Sequence, residues 1–275
     1  MNVISQKEMG EWMANGDWLK LANIAKSMID SVSVQLGGYP IDERLGGGTR
    51  LMISMAHRIS HDIDIFIHDA QILSFFTPRL SSFQSDELRG YDEDSNYIKL
   101  KFDYGEIDII VAPQLSGCPS EPSKQTGLNM EPVTEVITKK LYYRGNNLTA
   151  RDLFDWRSVM KLCPNTLDQK TMWSTVKHKK SGIIDALNGM KEFHSARLSW
   201  DRITTPYPMN FNESIDWAFD EINRLDMNSD QPDQNRKPVL QAETLGFIKT
   251  KPTHISMPDE SDTPITTPHT LLKPE

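Results

Sequence analysis

The sequence is poor in cysteine, with only Cys118 and Cys163 among its 275 residues. Two cysteines exclude both a disulfide-stabilised scaffold and a zinc site built mainly from cysteine. The chain also lacks any run of the roughly 18 uncharged apolar residues that a membrane span requires. Lys7 and Glu8 stand where a secretory signal peptide would carry its apolar run. We therefore expect a cytoplasmic protein with no membrane segment.

An overall excess of positive charge, typical of proteins that coat nucleic acids, is absent as well. The chain has 30 lysines and arginines against 38 aspartates and glutamates, which gives a net charge of -8 and an isoelectric point near 5.4. Positive charge is nevertheless concentrated at residues 139–180, where ten lysines and arginines accompany three aspartates. The rest of the chain is correspondingly more acidic, so this segment favours a local basic surface.

The distribution of apolar residues predicts a mixed α/β part, then a helical part, then a tail. Hydrophobic residues make up 38% of the chain, which is sufficient for a core. We assign residues 1–132 to an α/β domain with N-terminal helices and a mixed sheet, residues 133–225 to a helical domain, and residues 226–275 to a largely disordered tail. The tail contains seven of the 16 prolines and little apolar periodicity, so it offers little surface for burial.

Local patterns place strands and helices within these parts. At 61–68, two aspartates and a phenylalanine alternate with isoleucines, which predicts a strand with one apolar face. Two β-rich runs at 97–102 and 107–111 predict a hairpin. Helices are predicted at 1–38 (one or two), 71–80, 133–144, 149–160, 167–176, 182–193 and 213–225. Thr149 and Asp152 have the spacing of a capping box at one helix start.

The most informative segment combines a glycine loop with a pair of carboxylates. Residues 46–49 read Gly-Gly-Gly-Thr before a predicted helix, and Asp62 and Asp64 follow on the predicted strand. Backbone N–H groups at the start of a helix bind phosphate oxygens well. Two carboxylates on one strand face repel each other unless a cation lies between them, and Mg²⁺ typically takes one or two carboxylates together with substrate phosphates. This combination is what nucleotidyl transfer requires.

A third carboxylate is expected at the same site. Asp108 interrupts an otherwise apolar run at 107–111, and burying a carboxylate without a partner is costly. Beside Asp62 and Asp64 it would ligate a second metal ion or accept the proton of an attacking hydroxyl. Asp103 is the competing choice, although its place beside Tyr104 and Gly105 favours an ordinary turn residue.

Four segments between residues 45 and 156 carry recognisable motifs in a fixed order. They read Leu-Gly-Gly-Gly-Thr-Arg-Leu at 45–51, Arg-Ile-Ser-His-Asp-Ile-Asp-Ile-Phe at 58–66, Glu-Val-Ile-Thr-Lys-Lys-Leu at 135–141 and Ala-Arg-Asp-Leu-Phe-Asp at 150–155. In these segments the chain resembles the abortive-infection nucleotidyltransferase toxins of the AbiEii/AbiGii type. Those toxins belong to the polymerase β-like nucleotidyltransferase superfamily, so the resemblance implies that α/β fold for the first part of the chain.

The resemblance also implies roles for individual residues. The nucleotide-binding residues would be Gly47, Gly48, Thr49 and Arg151, the metal ligands Asp62 and Asp64, and the further catalytic residues Lys140 and Asp152. Lys139 competes with Lys140, because only the following Leu141 decides between them. Mg²⁺ is the expected metal, with Mn²⁺ as an alternative, and an NTP is the expected substrate.

These observations predict a metal-dependent enzyme that moves a nucleoside monophosphate from an NTP to an acceptor hydroxyl. In the family such activity poisons the host cell and is restrained by an antitoxin, so the resemblance implies a cognate antitoxin as a partner. The basic residues at 139–180, which include Lys177, Lys179 and Lys180, suit an acceptor with a phosphate backbone. RNA, and in particular the 3′ end of transfer RNA, is the expected acceptor.

Other functions stay open at this point. The acceptor would otherwise be a small molecule or a protein, or the domain would bind nucleotide without catalysis. His61-Asp62 also resembles the signature of HD-type phosphohydrolases, which carry that pair on a helix. The alternation around Asp62 favours a strand instead, and we expect His57, His61 and His68 at the surface.

Overall fold

The computed structural model describes residues 1–80 and 85–229. The predicted tail lies outside the described residues from residue 230 onward. The strands are β1 (Asn2–Val3), β2 (Glu43–Leu45), β3 (Ile63–Ile67), β4 (Gly90–Asp94), β5 (Tyr97–Phe102), β6 (Gly105–Val111), β7 (Glu121–Pro122), β8 (Asn129–Met130) and β9 (Thr204–Thr205). The helices are α1 (Gln6–Asn15), α2 (Trp18–Gln35), α3 (Gly47–Met55), α4 (Val133–Lys139), α5 (Ala150–Leu162), α6 (Gln169–Val176), α7 (Lys180–Glu192), α8 (His194–Asp201) and α9 (Phe211–Ser229).

Seven of the described strands form one mixed sheet in the order β4-β5-β6-β3-β2-β8-β7. β3 pairs in parallel with β6, and β2 pairs in parallel with β8, whereas the other neighbours are antiparallel. β1 and β9 form a small parallel pair that ties the N-terminus to the helical part. A mixed sheet followed by helices confirms the predicted fold class.

The central strands of the sheet have one fully buried face. All three isoleucines of β3 are buried, as are Ile107 and Ile109 of β6, and α2 packs against both strands. The alternation predicted for this segment is therefore confirmed. Because side chains alternate along a strand, Asp64 and Asp108 project from the opposite face. That face carries the site described below.

The first two helices follow from their local sequence. A capping box between Ser5 and Glu8 starts α1, and α2 buries Trp18, Leu21 and other residues at helical spacing. Apolar stripes of this kind stabilise a helix by packing on a core. The prediction of one or two helices before residue 38 is confirmed.

The helical part has its own apolar core around Phe154, Trp156 and Trp200, all almost completely buried. α3 packs against both α4 and α5, and its Leu51 belongs to this second core. The glycine loop that begins α3 is consequently held between the sheet and the helical part. None of the helices in the described residues is long and apolar enough to cross a membrane.

Several elements differ from the sequence prediction. The helix expected at 71–80 is a short 3₁₀ helix, Ala70–Phe76, and the helix expected at 133–144 changes at Lys140 into a π-helical turn, Lys140–Arg144. β4 and α8 were not predicted; β4 is largely exposed and polar, so only its pairing with β5 makes it a strand. α9 continues to Ser229, so residues 226–229 extend that helix.

Candidate active site

A cleft of about 510 Å³ opens over the polar face of the sheet. The sheet, the glycine loop, α4, the π-helical turn and the start of α5 all contribute to its walls. Nearly all of the predicted site residues line this one cleft, namely Gly47, Gly48, Asp62, Asp64, Asp108, Lys140, Arg151 and Asp152. The fold thus brings together residues that lie up to about a hundred positions apart in the sequence.

The carboxylates meet where β3 and β6 run side by side. Asp64 and Asp108 are direct partners in the parallel register of these strands. Asp62 lies just before β3, and its Oδ1 accepts a hydrogen bond from the Glu106 N–H at 3.1 Å. Asp103 instead lies in the exposed turn between β5 and β6 and pairs with Arg89. Between the two candidates, the strand register therefore favours Asp108 as the third carboxylate.

The electrostatics of these carboxylates differ from those of surface aspartates. Burial raises the pKa of Asp64, Lys140 opposes this effect, and the nearby negative charge of Asp62 adds to it. Among the described residues, no donor hydrogen-bonds the Asp64 carboxylate. Burial also raises the pKa of Asp108, to about 6, although a hydrogen bond from Lys99 opposes the increase. Asp108 thus has a cation in direct contact, whereas Asp64 has none among the described residues.

Lys99 is a site residue that the sequence analysis missed. It lies on β5 directly opposite Asp108, and its ammonium donates to Asp108 and to Glu106. Burial disfavours the charged amine, but these two hydrogen bonds outweigh burial and raise the pKa of Lys99. The predicted hairpin contained the necessary signal, because its register places Lys99 across from Asp108.

The glycine loop forms the first turn of α3 and approaches Asp64 very closely. Gly47 has φ of 62°, a left-handed conformation, and a Cβ there would lie 1.7 Å from Asp64 Oδ2. A Cβ on Gly48 would lie 2.4 Å from Arg58 Nη2. The loop can therefore run this close to the carboxylate only without side chains, and its N–H groups stand at the positive end of a helix.

Thr49 lies behind the cleft and does not line it. The side chain is fully buried, and its hydroxyl donates to the backbone carbonyl of Asp62. This bond links the glycine loop to the acidic segment. A direct contact between the Thr49 hydroxyl and a nucleotide stays a prediction that this geometry does not favour.

We expect Gly47→Ala to damage both the fold and the site. The added methyl group would collide with Asp64, and the left-handed backbone would be strained, so the free energy of unfolding should fall by roughly 1–3 kcal/mol. Gly10→Ala in α1 is the matched control, because a Cβ there meets nothing within 4 Å. In a helix interior that change should stabilise the protein by about 0.5–1 kcal/mol. Equal melting temperatures for the two variants would contradict the close approach.

Two adjacent lysines of the cleft are held by different partners. Lys140 lies 2.8 Å from Asp152 Oδ1 and 3.2 Å from Asp155 Oδ2. Lys139 is buried, pairs with Glu131 and lies 3.9 Å from the centre of the Phe66 ring. Lys140 begins the π-helical turn, a distortion frequent at functional sites. Both lysines line the cleft, so the choice between them stays open.

Asp152 has a structural role in addition to any catalytic one. Its carboxylate accepts the N–H of Thr149 at 3.0 Å while the Thr149 hydroxyl accepts the N–H of Asp152, which confirms the predicted capping box. The same carboxylate binds Lys140 and, at 3.1 Å, Arg144. Arg151 is exposed at the cleft and has no ion pair or hydrogen bond within the described part of the chain. It is therefore available for a ligand.

Below the cleft lies a buried charged cluster that the sequence analysis gave no role. Asp155 accepts bonds at 2.7 Å from both His57 and Arg58, and a second bond from Arg58 at 2.9 Å. Burial alone would raise the pKa of Asp155, but Arg58 and Lys140 hold it well below its usual range. His57 is fully buried, so its expected surface position is wrong. The cluster holds Lys140 and Arg58, both of which line the cleft.

The carboxylates fit a metal ion that a substrate helps to hold. In the described residues, no three histidine, cysteine or acidic side chains are grouped as a preformed metal cage. Mg²⁺ usually takes only one or two carboxylates, with phosphate oxygens and water completing its shell. Asp62 and Asp64 supply such a pair, and no side chain in the described part of the chain forms a hydrogen bond or an ion pair with the Asp64 carboxylate. His61 packs on Trp12 and precedes a strand, unlike the helical His-Asp pair of HD-type enzymes.

Comparisons with known proteins find similarity at the level of structure. No model of a known protein family matches the chain, and no curated protein matches its sequence. MenT4, a nucleotidyltransferase toxin from Mycobacterium tuberculosis H37Rv, is 13% identical, with 76% of this chain and 84% of that chain covered and a TM-score of 0.43. JHP933 from Helicobacter pylori is 15% identical, with 76% and 93% covered and a TM-score of 0.41. ANT(2")-Ia, solved with adenylyl-2"-tobramycin, is 13% identical, with 57% and 95% covered and a TM-score of 0.38.

The solved structures that this chain resembles thus include nucleotidyltransferases. At sequence identities of 13–15%, the similarity concerns the fold alone and does not extend to the activity. Membership of the AbiEii/AbiGii family stays a prediction from the motifs.

Proposed function

We propose that this protein is a metal-dependent nucleotidyltransferase that moves a nucleoside monophosphate from an NTP to an acceptor hydroxyl. One observation carries the proposal: Asp62, Asp64 and Asp108 line the same cleft as the N-terminus of α3 and several cations. Phosphate oxygens and a divalent cation need these two kinds of group side by side.

The residues that line the cleft have different roles in this reaction. The N–H groups of Gly47 and Gly48 bind phosphate oxygens, and Lys140 and Arg151 neutralise phosphate charge. Asp62 and Asp64 would hold Mg²⁺ or Mn²⁺, which supplies Lewis-acid stabilisation of the reacting phosphoryl group when bound.

The third carboxylate completes the reaction. The acceptor oxygen forms a bond to the α-phosphorus, the bond to pyrophosphate breaks, and the hydroxyl proton passes to Asp108. Asp108 is supported in this role by its place beside Asp64 in the strand register. Lys99 holds the Asp108 carboxylate in position.

RNA is the acceptor that the surface beside the cleft supports best. Tyr142, next to the cleft, stacks edge-on with His178 at 5.3 Å, and Lys179 lies 5.3 Å from the same ring. Basic and aromatic side chains therefore lie side by side between Tyr142 and the 3₁₀ turn Lys177–Lys179. Cationic side chains neutralise successive phosphates, and aromatic rings stack on bases. Within RNA, the motif resemblance points to the 3′ end of transfer RNA.

The RNA proposal is tested by charge reversal on this surface. Lys177→Glu combined with Lys179→Glu should lower labelling of RNA from an α-labelled NTP by about tenfold or more at moderate salt, because two phosphate contacts become repulsive. Binding of NTP should not change. Lys180 is left intact because it pairs with Asp226.

The control is a double reversal of equal charge, Lys7→Glu with Lys124→Glu, at two exposed lysines that do not line the cleft. This variant should label RNA as the parent does. If the 177/179 variant also labels RNA normally, the surface is not the acceptor site, and a protein or small-molecule acceptor becomes the better explanation.

The toxin role belongs to the same proposal and rests on the four motifs. A nucleotidyltransferase that modifies transfer RNA would stop translation, so its cell would need a cognate antitoxin that blocks the enzyme. The expected phenotype is growth arrest that depends on the catalytic carboxylates.

A further inference from the structure

Lys99 occupies an unusual place for a lysine, in the middle of the carboxylates of the cleft. Its Nζ lies 2.6 Å from Glu106 Oε2 and 2.9 Å from each oxygen of Asp108, with a hydrogen bond to Oδ2. The side chain is only 28% exposed, and that of Asp108 is 20% exposed. The three contacts fix the ammonium against the sheet.

The strand register arranges the charges as a row. Lys99 on β5 faces Asp108 on β6, and Asp108 faces Asp64 on β3. Two carboxylates side by side on a partly buried face need positive charge nearby. Lys99 supplies it to Asp108, whereas Asp64 has no cation in direct contact within the described residues. Within this row, Lys99 compensates the charge of Asp108, and the charge of Asp64 stays available to bind a cation.

We infer that Lys99 takes the place of a second metal ion at Asp108, so that this site binds one divalent cation, at Asp62 and Asp64. The inference rests on the proposed function and changes one part of the sequence prediction, which counted Asp108 among the metal ligands. A second cation at Asp108 would have to displace an ammonium held by three contacts. Lys99 is accordingly a positioning residue, because it acts through the Asp108 carboxylate.

The inference is tested by counting bound Mn²⁺. Free Mn²⁺ is followed by electron paramagnetic resonance during a titration of the full chain without nucleotide. The parent should bind one Mn²⁺ per chain. Lys99→Met, which keeps the length of the side chain and removes its charge, should bind two, because Asp108 then faces Asp64 without a counter-charge. Circular dichroism and a melting curve establish that the variant is folded.

Three further variants isolate the effect. Lys99→Arg keeps the charge and should bind one Mn²⁺. Lys101→Met removes a lysine from the same strand, one that pairs with Asp92, and should also bind one. Adding Asp108→Asn to Lys99→Met should return the count to one. This last result would locate the second ion at Asp108.

The outcomes separate this inference from the proposed function. Two Mn²⁺ ions on the parent, or a single ion of unchanged affinity on Lys99→Met, would overturn the role of Lys99 and leave a metal-dependent enzyme in place. If the parent binds no Mn²⁺ and transfers no label from an NTP, both the proposed function and the inference fail.

Discussion

Asp64→Asn should nearly abolish nucleotidyl transfer while leaving the protein at least as stable as before. The carboxylate is half of the proposed metal-binding pair, and loss of a few kcal/mol of transition-state stabilisation lowers the rate by roughly 10³-fold. Asp103→Asn is the matched control in the exposed turn, and it should retain full activity. If the Asp64 variant incorporates label at the rate of the parent, Asp64 is not part of the active site.

Stability provides a second readout for the same variant. Burial raises the pKa of Asp64 in the folded state, so the folded protein holds this proton more tightly than the unfolded chain does. The stabilisation that this difference provides is complete at a pH below the pKa of the unfolded chain. It is lost as the pH rises through the pKa of the folded protein. Without metal, Asp64→Asn should therefore melt at the same or a higher temperature than the parent at neutral pH. A marked decrease would mean that the carboxylate has a structural partner.

The same substitution tests the toxin role. Expression of the parent chain alone should arrest growth, and expression of Asp64→Asn should not. Arrest by both proteins would separate toxicity from nucleotidyl transfer.

Asp155→Ala should produce the largest loss of stability. Asp155 is fully buried and holds Arg58, His57 and Lys140, so its removal leaves buried positive charge without a counterion. Breaking a buried ion pair in this way costs about 3–5 kcal/mol. A fall of roughly 10 °C in melting temperature is expected for a chain of this size. Activity should fall as well, because Lys140 loses one of its two anchors.

Asp168→Ala is the control for this prediction. Asp168 caps α6 at the surface, where its carboxylate accepts the N–H of Thr171 at 3.0 Å. Loss of such a cap costs about 1 kcal/mol. Similar melting temperatures for the two variants would show that the buried cluster contributes little to the fold.

The features that could be predicted from the sequence are determined by local patterns of residues. The isoleucine alternation of β3, the hairpin of β5 and β6, and the capping box at Thr149 depend on residues close together in the chain, and the structure contains all three. The glycine loop was also correctly placed before a helix. The prediction that the acidic residues lie together needed one further assumption, namely that the two buried strands are neighbours in the sheet.

The features that sequence did not predict depend on tertiary contacts. Arg58 and Asp155 are 97 residues apart, and no periodicity connects them. His57 was expected at the surface, yet it is fully buried, and its hydrogen bond with Asp155 compensates the burial. β4 has no alternating pattern, and it exists because β5 offers an edge to pair with. In each case a partner distant in sequence decides the structure.

The part of the NTP that reaches the acceptor distinguishes a nucleotidyltransferase from other enzymes that use NTPs. The direct test is to incubate the protein with Mg²⁺ and total RNA, using each NTP labelled at the α-phosphate in one series and at the γ-phosphate in the other. A nucleotidyltransferase should attach the α-label to the acceptor and release the γ-label as pyrophosphate, and Asp64→Asn should do neither. Attachment of the γ-label, or no transfer of the α-label to RNA, protein or small molecules, would contradict the account.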